Sequence, residues 1–372
     1  MGLAALGGLG MLGCSGEAPG TSTQTAQPLV AALAPDRPAL ATPSLSDRRL
    51  GWTPRSDLEL VDYLIAHDLQ TVRMVEIELA RGAAPEVRAL ASVIGDTRKD
   101  DLAVLMGSRA AISGSADVTD VPDDPHLDQV KHDMALTSGA ELDRMFLVEM
   151  IGQDAASMGP LLRGQSSLLR AELQKLAQDR YDGQAAEIAA LAIMLGDDPL
   201  TSVRGPLEVG LGPFGDARVP FTPENDVQLI DYYVSRHLEA IDLADMVLQY
   251  GTDPDVHAFA LRMKMRMTKD LEILRAARFP LTGSAELPVP LQDPDTQTVL
   301  KAMKTMAGEP LDHVFVDAML PHHADGTAPA PRALHQVVRG DVRRVVAGIF
   351  ETQAKEIGEL ETLRKSFVAP TK

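Results

Sequence analysis

Apolar residues recur along the chain at three- and four-residue steps, which is the spacing of an amphipathic helix. The first stretch with this spacing contains Leu60, Leu64, His67, Thr71, Met74 and Ile77. A turn at 83–85 separates it from a returning stretch at 87–105, and two further stretches follow from near 140 to 158 and from about 167 to 195. The pattern therefore predicts four helices that pack as one bundle.

The whole pattern returns 169 residues later without a change of register. The matched pairs include Trp52-Thr53-Pro54 with Phe221-Thr222-Pro223, Asp62-Tyr63 with Asp231-Tyr232, Asp101-Leu102 with Asp270-Leu271, Met150 with Met319, Gln184 with Gln353, and Glu187-Ile188 with Glu356-Ile357. Because insertions accumulate in loops, an unbroken register indicates a duplicated domain. We predict an all-α protein of two tandem four-helix bundles, at 53–196 and 222–368, joined by a linker at 197–221.

Each predicted bundle begins with a Thr-Pro pair, Thr53-Pro54 in the first copy and Thr222-Pro223 in the second. Threonine is a favourable N-cap residue and proline is favoured at the first helical position. We therefore expect the first helix of each copy to begin at this pair.

The single cysteine, Cys14, follows an apolar, glycine-rich run that starts at Gly2. This arrangement resembles the end of a bacterial lipoprotein signal peptide, although no Lys or Arg precedes the cysteine. We predict a signal segment at 1–14 with a lipidated Cys14, which implies a lipid-anchored protein of the bacterial cell envelope that faces the periplasm or the cell surface. The alternative is a flexible apolar terminus with an incidental thiol. The Pro-, Ser-, Thr- and Ala-rich residues 15–52 are predicted to be a disordered linker.

Charge and motifs limit the possible functions. A formal net charge of −18 argues against an extended nucleic-acid surface, because that surface needs clustered Lys and Arg. The Glu-x-x-His pairs of di-iron bundles, the Gly-x-Ser-x-Gly elbow and the Walker phosphate loop are all absent from the sequence. We therefore predict a protein that is not an enzyme and does not bind nucleic acid.

One string carries candidate chemistry: residues 315–323 read Phe-Val-Asp-Ala-Met-Leu-Pro-His-His. On a helix, Met319 lies three and four residues before His322 and His323, so the three side chains are neighbours. Imidazole and thioether ligands together suit copper, especially Cu(I). The alternative is two partly buried histidines that are hydrogen-bonded to carboxylates of the bundle.

Within this string, Met-Leu-Pro-His-His at 319–323 comes after Asp312-x-x-Phe315 and before Gln353-x-x-Glu356-Ile357. This combination resembles the bacterial family called domain of unknown function 305. The resemblance covers about 56–195 and 224–366. It implies a ferritin-like, all-helical fold, frequent export from the cytoplasm, and a relation to periplasmic copper-binding members.

The family's His-His doublet is only partly kept in this chain. The four equivalent pairs are His67-Asp68, Gln153-Asp154, Arg236-His237 and His322-His323. A copper site is therefore predicted from His237, Met319, His322 and His323, provided that the two hairpins of the second copy bring their doublets together. The competing hypothesis is a metal-free structural or protein-interaction module with degenerate metal motifs; the sequence indicates no particular protein partner. Asp325-Gly326 and the prolines up to Pro331 are expected to end the helix after His323.

Overall fold

The computed structural model describes residues 52–118, 121–122, 124–165, 168, 170–196 and 221–368. All regular secondary structure in these residues is helical, as the periodicity predicts. The predicted signal segment with Cys14 and nearly all of the two predicted linkers lie outside the described residues. Within the described part of the chain, no helix is long and apolar enough to cross a membrane.

The described residues form eleven helices. They are α1 (Asp57–Arg81), α2 (Pro85–Ser113), α3 (Pro125–Leu136), α4 (Ala140–Gln165), α5 (Ala171–Leu195), α6 (Asp226–Tyr250), α7 (Pro254–Thr282), α8 (Pro294–Met303), α9 (Glu309–Thr327), α10 (Ala330–Gln336) and α11 (Gly340–Val368).

Each copy is built from two long helical hairpins. In the first copy α1 pairs with α2 and α4 pairs with α5; in the second copy α6 pairs with α7 and α9 pairs with α11. The hairpins of a copy pack on each other through α1 and α4, and through α6 and α9, to form a four-helix bundle. The fold is therefore two tandem ferritin-like bundles, as predicted. The short helices α3 and α8 begin 169 residues apart in the connections between hairpins, and the apolar periodicity did not predict them.

The described residues between 52 and 368 belong to one compact unit, within which the two bundles pack against each other. Helix α4 lies on α9 and α5 lies on α11. The approach is close: a Cβ atom added at Gly358 would lie 2.4 Å from the Cβ of Ala189. We call this α4, α5, α9, α11 contact the seam. Independent folding of 53–196 and 222–368 stays a prediction.

The first helix of each copy begins at Asp57 and at Asp226, in both cases three residues after the proline of the predicted Thr-Pro pair. The caps are Ser56, whose hydroxyl accepts from the Glu59 amide at 3.3 Å, and Asn225, whose side-chain oxygen accepts from the Gln228 amide at 3.0 Å. The predicted start was wrong because better caps follow the threonines: Asn and Ser rank above Thr at this position.

Helix α9 ends at Thr327, within the stretch from Asp325-Gly326 to Pro331 where the sequence predicted its end. The chain then passes through Pro329 into α10. A proline costs a helix the hydrogen bond to the carbonyl four residues earlier. For Pro329 that carbonyl belongs to Asp325, and it accepts instead from the Tyr232 hydroxyl at 2.6 Å. The first copy has the same arrangement. Pro160 lies within α4, and the carbonyl of Ala156 accepts from the Tyr63 hydroxyl at 3.2 Å. Tyrosine hydroxyls thus satisfy the carbonyls that the prolines leave free.

Candidate functional site

The four doublets lie where the hairpins of a bundle cross, and their two members have different roles. In three of the four doublets the first member reaches across to the backbone of the opposite doublet. In the first copy, Nε2 of His67 lies 2.9 Å from the carbonyl oxygen of Gln153. In the second copy, Arg236 donates to the carbonyl of His322 at 3.1 Å, and Nε2 of His322 lies 3.1 Å from the carbonyl oxygen of Arg236. These bonds join the two hairpins.

The second member of each doublet lies at a buried centre of the bundle. In the second copy these residues are His237 on α6 and His323 on α9. They meet one acidic residue from each remaining long helix: Nε2 of His237 lies 3.5 Å from Asp270 on α7, and Nε2 of His323 lies 2.8 Å from Glu356 on α11. We call His237, Asp270, His323 and Glu356 the second centre. All four helices contribute one side chain to it.

Arg266 on α7 completes the second centre by pairing with both carboxylate oxygens of Glu356, one of them at 2.6 Å. Burial alone would raise the pKa of Glu356, but the hydrogen bond with His323 and the Arg266 guanidinium outweigh burial and hold the pKa below its usual value. Glu356 is therefore ionised and can accept a hydrogen bond from Nε2 of His323. In the tautomer that donates from Nε2, the lone pair of the ring is on Nδ1.

Several imidazole nitrogens of this region are buried without a hydrogen-bond partner. They are the Nδ1 atoms of His237, His322 and His323, while Nε2 of His237 has only its 3.5 Å contact with Asp270. Burial, opposed by the Asp270 carboxylate, lowers the pKa of His237, and burial with the Arg236 charge takes the pKa of His322 well below its usual value. Both rings are therefore neutral near pH 7. Neutral imidazoles with free lone pairs are the form that binds transition metals.

The first copy places carboxylates at the same four positions. Its centre, which we call the first centre, consists of Asp68 on α1, Asp101 on α2, Asp154 on α4 and Glu187 on α5. Two arginines lie among these acids. Arg180 binds both oxygens of Asp68, one at 2.7 Å, and lies 3.5 Å from Asp101.

The other arginine, Arg98, donates to Asp154 at 3.1 Å and to Glu187. Charge pairing sets the protonation of this centre. Burial would raise the pKa of Asp68, yet Arg180 outweighs it and brings the pKa to about 2. Burial and the neighbouring Glu187 raise the pKa of Asp154 in spite of Arg98. The first centre is thus a closed network of acids around two internal cations.

The second copy lacks these internal cations. The positions equivalent to Arg98 and Arg180 hold Met267 and Ile349. The first centre therefore combines four acids with two arginines, whereas the second centre combines two acids and two imidazoles with Arg266 alone. The two copies therefore differ in their charged residues at the same place in the fold.

The predicted metal residues have different positions in this arrangement. His237 and His323 belong to the second centre, and the ring centroid of His322 lies 6.4 Å from that of His323. His322 nevertheless uses Nε2 to bind the backbone of Arg236. Met319 is fully buried on α9, one turn before the histidines. Within the described ranges, no group of three or more His, Cys, Asp or Glu side chains is already placed to hold one metal ion.

The sequence analysis missed Asp270, Glu356 and the two internal arginines. A signal for the acids was present, because Asp101-Leu102, Asp270-Leu271, Glu187-Ile188 and Glu356-Ile357 all recur in the repeat register. These pairs were used only as evidence of duplication. In the fold they face the doublets from the partner helix of each hairpin.

Fold and site together define a tandem helical-bundle protein with a charged centre in each bundle. The chain belongs to the family described as Domain of unknown function (DUF305), whose model matches residues 57–195 and 290–364. The match includes the whole first centre, and in the second centre it includes His323 and Glu356 but not His237 or Asp270. Comparison with curated proteins and comparison with solved structures gave no match.

Proposed function

We propose that this chain is a non-enzymatic protein of the bacterial envelope that binds a transition metal, copper first, in its second bundle. The observation that carries the proposal is the set of buried imidazole nitrogens without partners on His237, His322 and His323. An unpaired polar atom in a protein interior costs roughly 1–3 kcal/mol. A bound metal ion would remove that cost, because each lone pair would gain a ligand bond.

The second centre fits copper by the chemistry of its donors. Imidazole nitrogens accept both copper oxidation states, and the thioether of Met319 adds preference for Cu(I). Asp270 and Glu356 would orient His237 and His323, as carboxylates commonly do for metal-bound histidines. Bound copper would be coordinated by these residues, and no catalytic motif of the sequence accompanies them.

The first bundle would serve as a metal-free support. Its four acids already have Arg98 and Arg180 as counter-ions within the protein. A metal cation entering this centre would have to displace a guanidinium that is itself buried. We therefore expect one copper site in the chain, not two.

Titration calorimetry with Cu(I) and with Cu(II) tests the role. We expect one equivalent of copper to bind with a Kd below micromolar, and His237→Ala with His323→Ala to remove the binding. Met319→Leu should weaken Cu(I) more than Cu(II), while Met265→Leu, at a position with a residue exposure of 66%, is the matched control and should change neither. Copper that binds only weakly, or equally well to the double histidine variant, would refute the proposal.

A metal-free structural or protein-interaction module is the second candidate. It is favoured by the closed first centre and by the lack, in the described residues, of three donors already arranged around one point. Metal analysis of protein isolated from the envelope separates the two candidates: the module predicts no stoichiometric metal, whereas the copper proposal predicts about one equivalent in copper-replete cells.

Envelope location follows from the sequence around Cys14, and it has its own test. Lipidation of Cys14 would fix the protein to a membrane by an acyl anchor, with 15–52 as spacer. We expect the wild-type chain in the membrane fraction and Cys14→Ser in the soluble fraction after cell disruption. Equal partitioning of the two would contradict lipid anchoring, and it would leave the copper proposal untouched.

A further inference from the structure

A cleft of about 600 Å³ lies at the seam and shares no lining residue with either centre. Helix α5 of the first copy forms one side of it, and α9 and the last turns of α11 of the second copy form the other. The cleft therefore exists only because the two copies pack together. Its volume is within the range of about 300–1,000 Å³ that is usual for small-molecule sites. We call it the seam cleft.

The two basic residues of the seam cleft are already neutralised by the protein. Arg364 pairs with Asp182 on α5, and it also lies 2.8 Å from Glu361. Lys365 lies 3.2 Å from the same Glu361 carboxylate. Neither basic side chain is thus free for an anionic ligand, which would also face the carboxylates of the cleft. The charge pattern favours a positively charged ligand instead.

Asp317 on α9 is the acidic residue of the cleft that lacks a direct partner. Among the residues that the structure describes, none donates a hydrogen bond to its carboxylate or forms an ion pair with it. Partial burial raises the pKa of this carboxyl above its usual value, although the charges of Arg364 and His313 oppose the rise. A cationic ligand beside Asp317 would supply the counter-charge that no side chain provides at contact distance.

Glu309, His313 and Asp317 occupy successive turns of α9, four residues apart. Nε2 of His313 is buried without a hydrogen-bond partner, and the Glu309 carboxylate lies 3.7 Å from it, too far for a hydrogen bond. The His313 ring stacks on Phe367 of α11, with ring centroids 4.0 Å apart and planes inclined at 23°. This row therefore has a carboxylate at each end and an aromatic pair between them. At 1.5 Å per residue, the two ends are about 12 Å apart along the helix.

An aliphatic polyamine matches this row in charge and in length. Ammonium groups donate hydrogen bonds to carboxylates and to imidazole nitrogens, and aromatic faces attract them. Three amines joined by three- and four-carbon spacers form a chain of nine single bonds, which spans roughly 11 Å when extended. One terminal ammonium would reach Asp317 while the other reaches Glu309. A metal ion is a poorer match, because no three donor side chains are grouped for one in the described part of the chain.

We propose that the seam cleft binds a linear polyamine of the triamine type. Asp317 and Glu309 are its charged anchors, and the stacked His313 and Phe367 rings lie along its carbon chain. The formal net charge of −18 on the whole chain adds a general attraction for such a cation. This role is independent of copper at the second centre, because the two sites share no residue.

Titration calorimetry of the purified full-length chain with spermidine tests the proposal. We expect one equivalent to bind with a Kd of about 100 μM or tighter. Asp317→Asn, which keeps the side-chain shape, should weaken binding about tenfold or more, the usual effect of losing a hydrogen bond to a charged group. Putrescine, a diamine too short to reach both carboxylates, should bind more weakly than spermidine, and Glu309→Gln should reduce this difference.

Asp96→Asn is the matched control, because it removes the same charge from an exposed aspartate on α2 and should leave spermidine binding unchanged. Phe367→Leu, close to the end of α11, is a second site variant that should also weaken binding. Absence of saturable binding overturns the proposal, and so does equal weakening by Asp96→Asn and Asp317→Asn. Unchanged binding by Asp317→Asn, or by Phe367→Leu if the first variant does not fold, has the same consequence, as does putrescine binding as tightly as spermidine.

Discussion

Replacing Arg180 with isoleucine is expected to lower the free energy of unfolding by about 3–5 kcal/mol, the usual effect of removing one partner of a buried ion pair. Isoleucine is the residue that the second copy holds at the equivalent position, Ile349, so the backbone and the space are compatible with it. The loss arises because Asp68 is completely buried and depends on Arg180 for both of its oxygens. In the core of the first bundle, the Asp68 carboxylate would keep only its longer contacts with His67 and Arg98, at 3.6 and 3.7 Å.

Urea unfolding followed by circular dichroism measures this change. Arg262→Ala is the control: its pair with Glu359 is exposed and should contribute no more than about 1 kcal/mol. Adding Asp68→His to Arg180→Ile reproduces the His237 and Ile349 arrangement of the second copy, and it should recover most of the lost stability. A loss below 1 kcal/mol, or no recovery in the double variant, would show that Arg180 is not the counter-ion of the first centre.

Replacing Glu78 with glutamine is expected to stabilise the protein at pH 8 by about 1–3 kcal/mol, from 1.36 kcal/mol for each unit of pKa shift. Burial, with a smaller contribution from the neighbouring Asp143 carboxylate, raises the pKa of Glu78 from 4.5 to about 7. Asp143 has its own role, since it accepts from the Ala83 and Ala84 amides at 2.7 and 2.9 Å in the turn between α1 and α2. The equivalent of Glu78 in the second copy is Val247, which has no charge to lose.

The sign of this effect sets the pH window. A carboxyl whose pKa is higher in the folded protein favours folding while it is protonated in both states, below about pH 4.5. Its contribution falls as the pH rises to about 7, because the unfolded chain ionises first. Glu78→Gln should therefore match the wild type at pH 4 and exceed it at pH 8. Exposed Glu76→Gln is the control and should show no such pH dependence; a constant difference for Glu78→Gln across the range would contradict the assignment.

The duplicated helical scaffold could be predicted from sequence because long apolar periodicity and repeat register are properties of the chain itself. Helix boundaries were harder to predict, because they depend on competition between neighbouring residues for the capping position. Ser56 and Asn225 displaced the earlier threonines as caps. In both cases a single hydrogen bond, invisible in the periodicity, decided where the helix begins.

The centres were only half predictable for a related reason. A doublet such as His322-His323 attracts notice in the sequence, whereas Glu356 gains its meaning only from the imidazole that faces it. Sequence spacing also cannot show that adjacent doublet residues separate into a backbone contact and a central contact. The spacing of Arg98 and Arg180 in the sequence does not distinguish them from helical surface residues. Only the fold shows that both are buried among acids.

The meeting of Gly358 with Ala189 has a consequence for how this chain can change over evolutionary time. A larger residue at either position would push apart two helices that belong to different copies. A larger side chain in one copy therefore requires a compensating change in the other. If recombination replaced one copy with that of a related protein, the two copies would clash here unless the new one also had a small residue at this contact. The contact between the copies thus ties the divergence of one duplicated domain to that of the other.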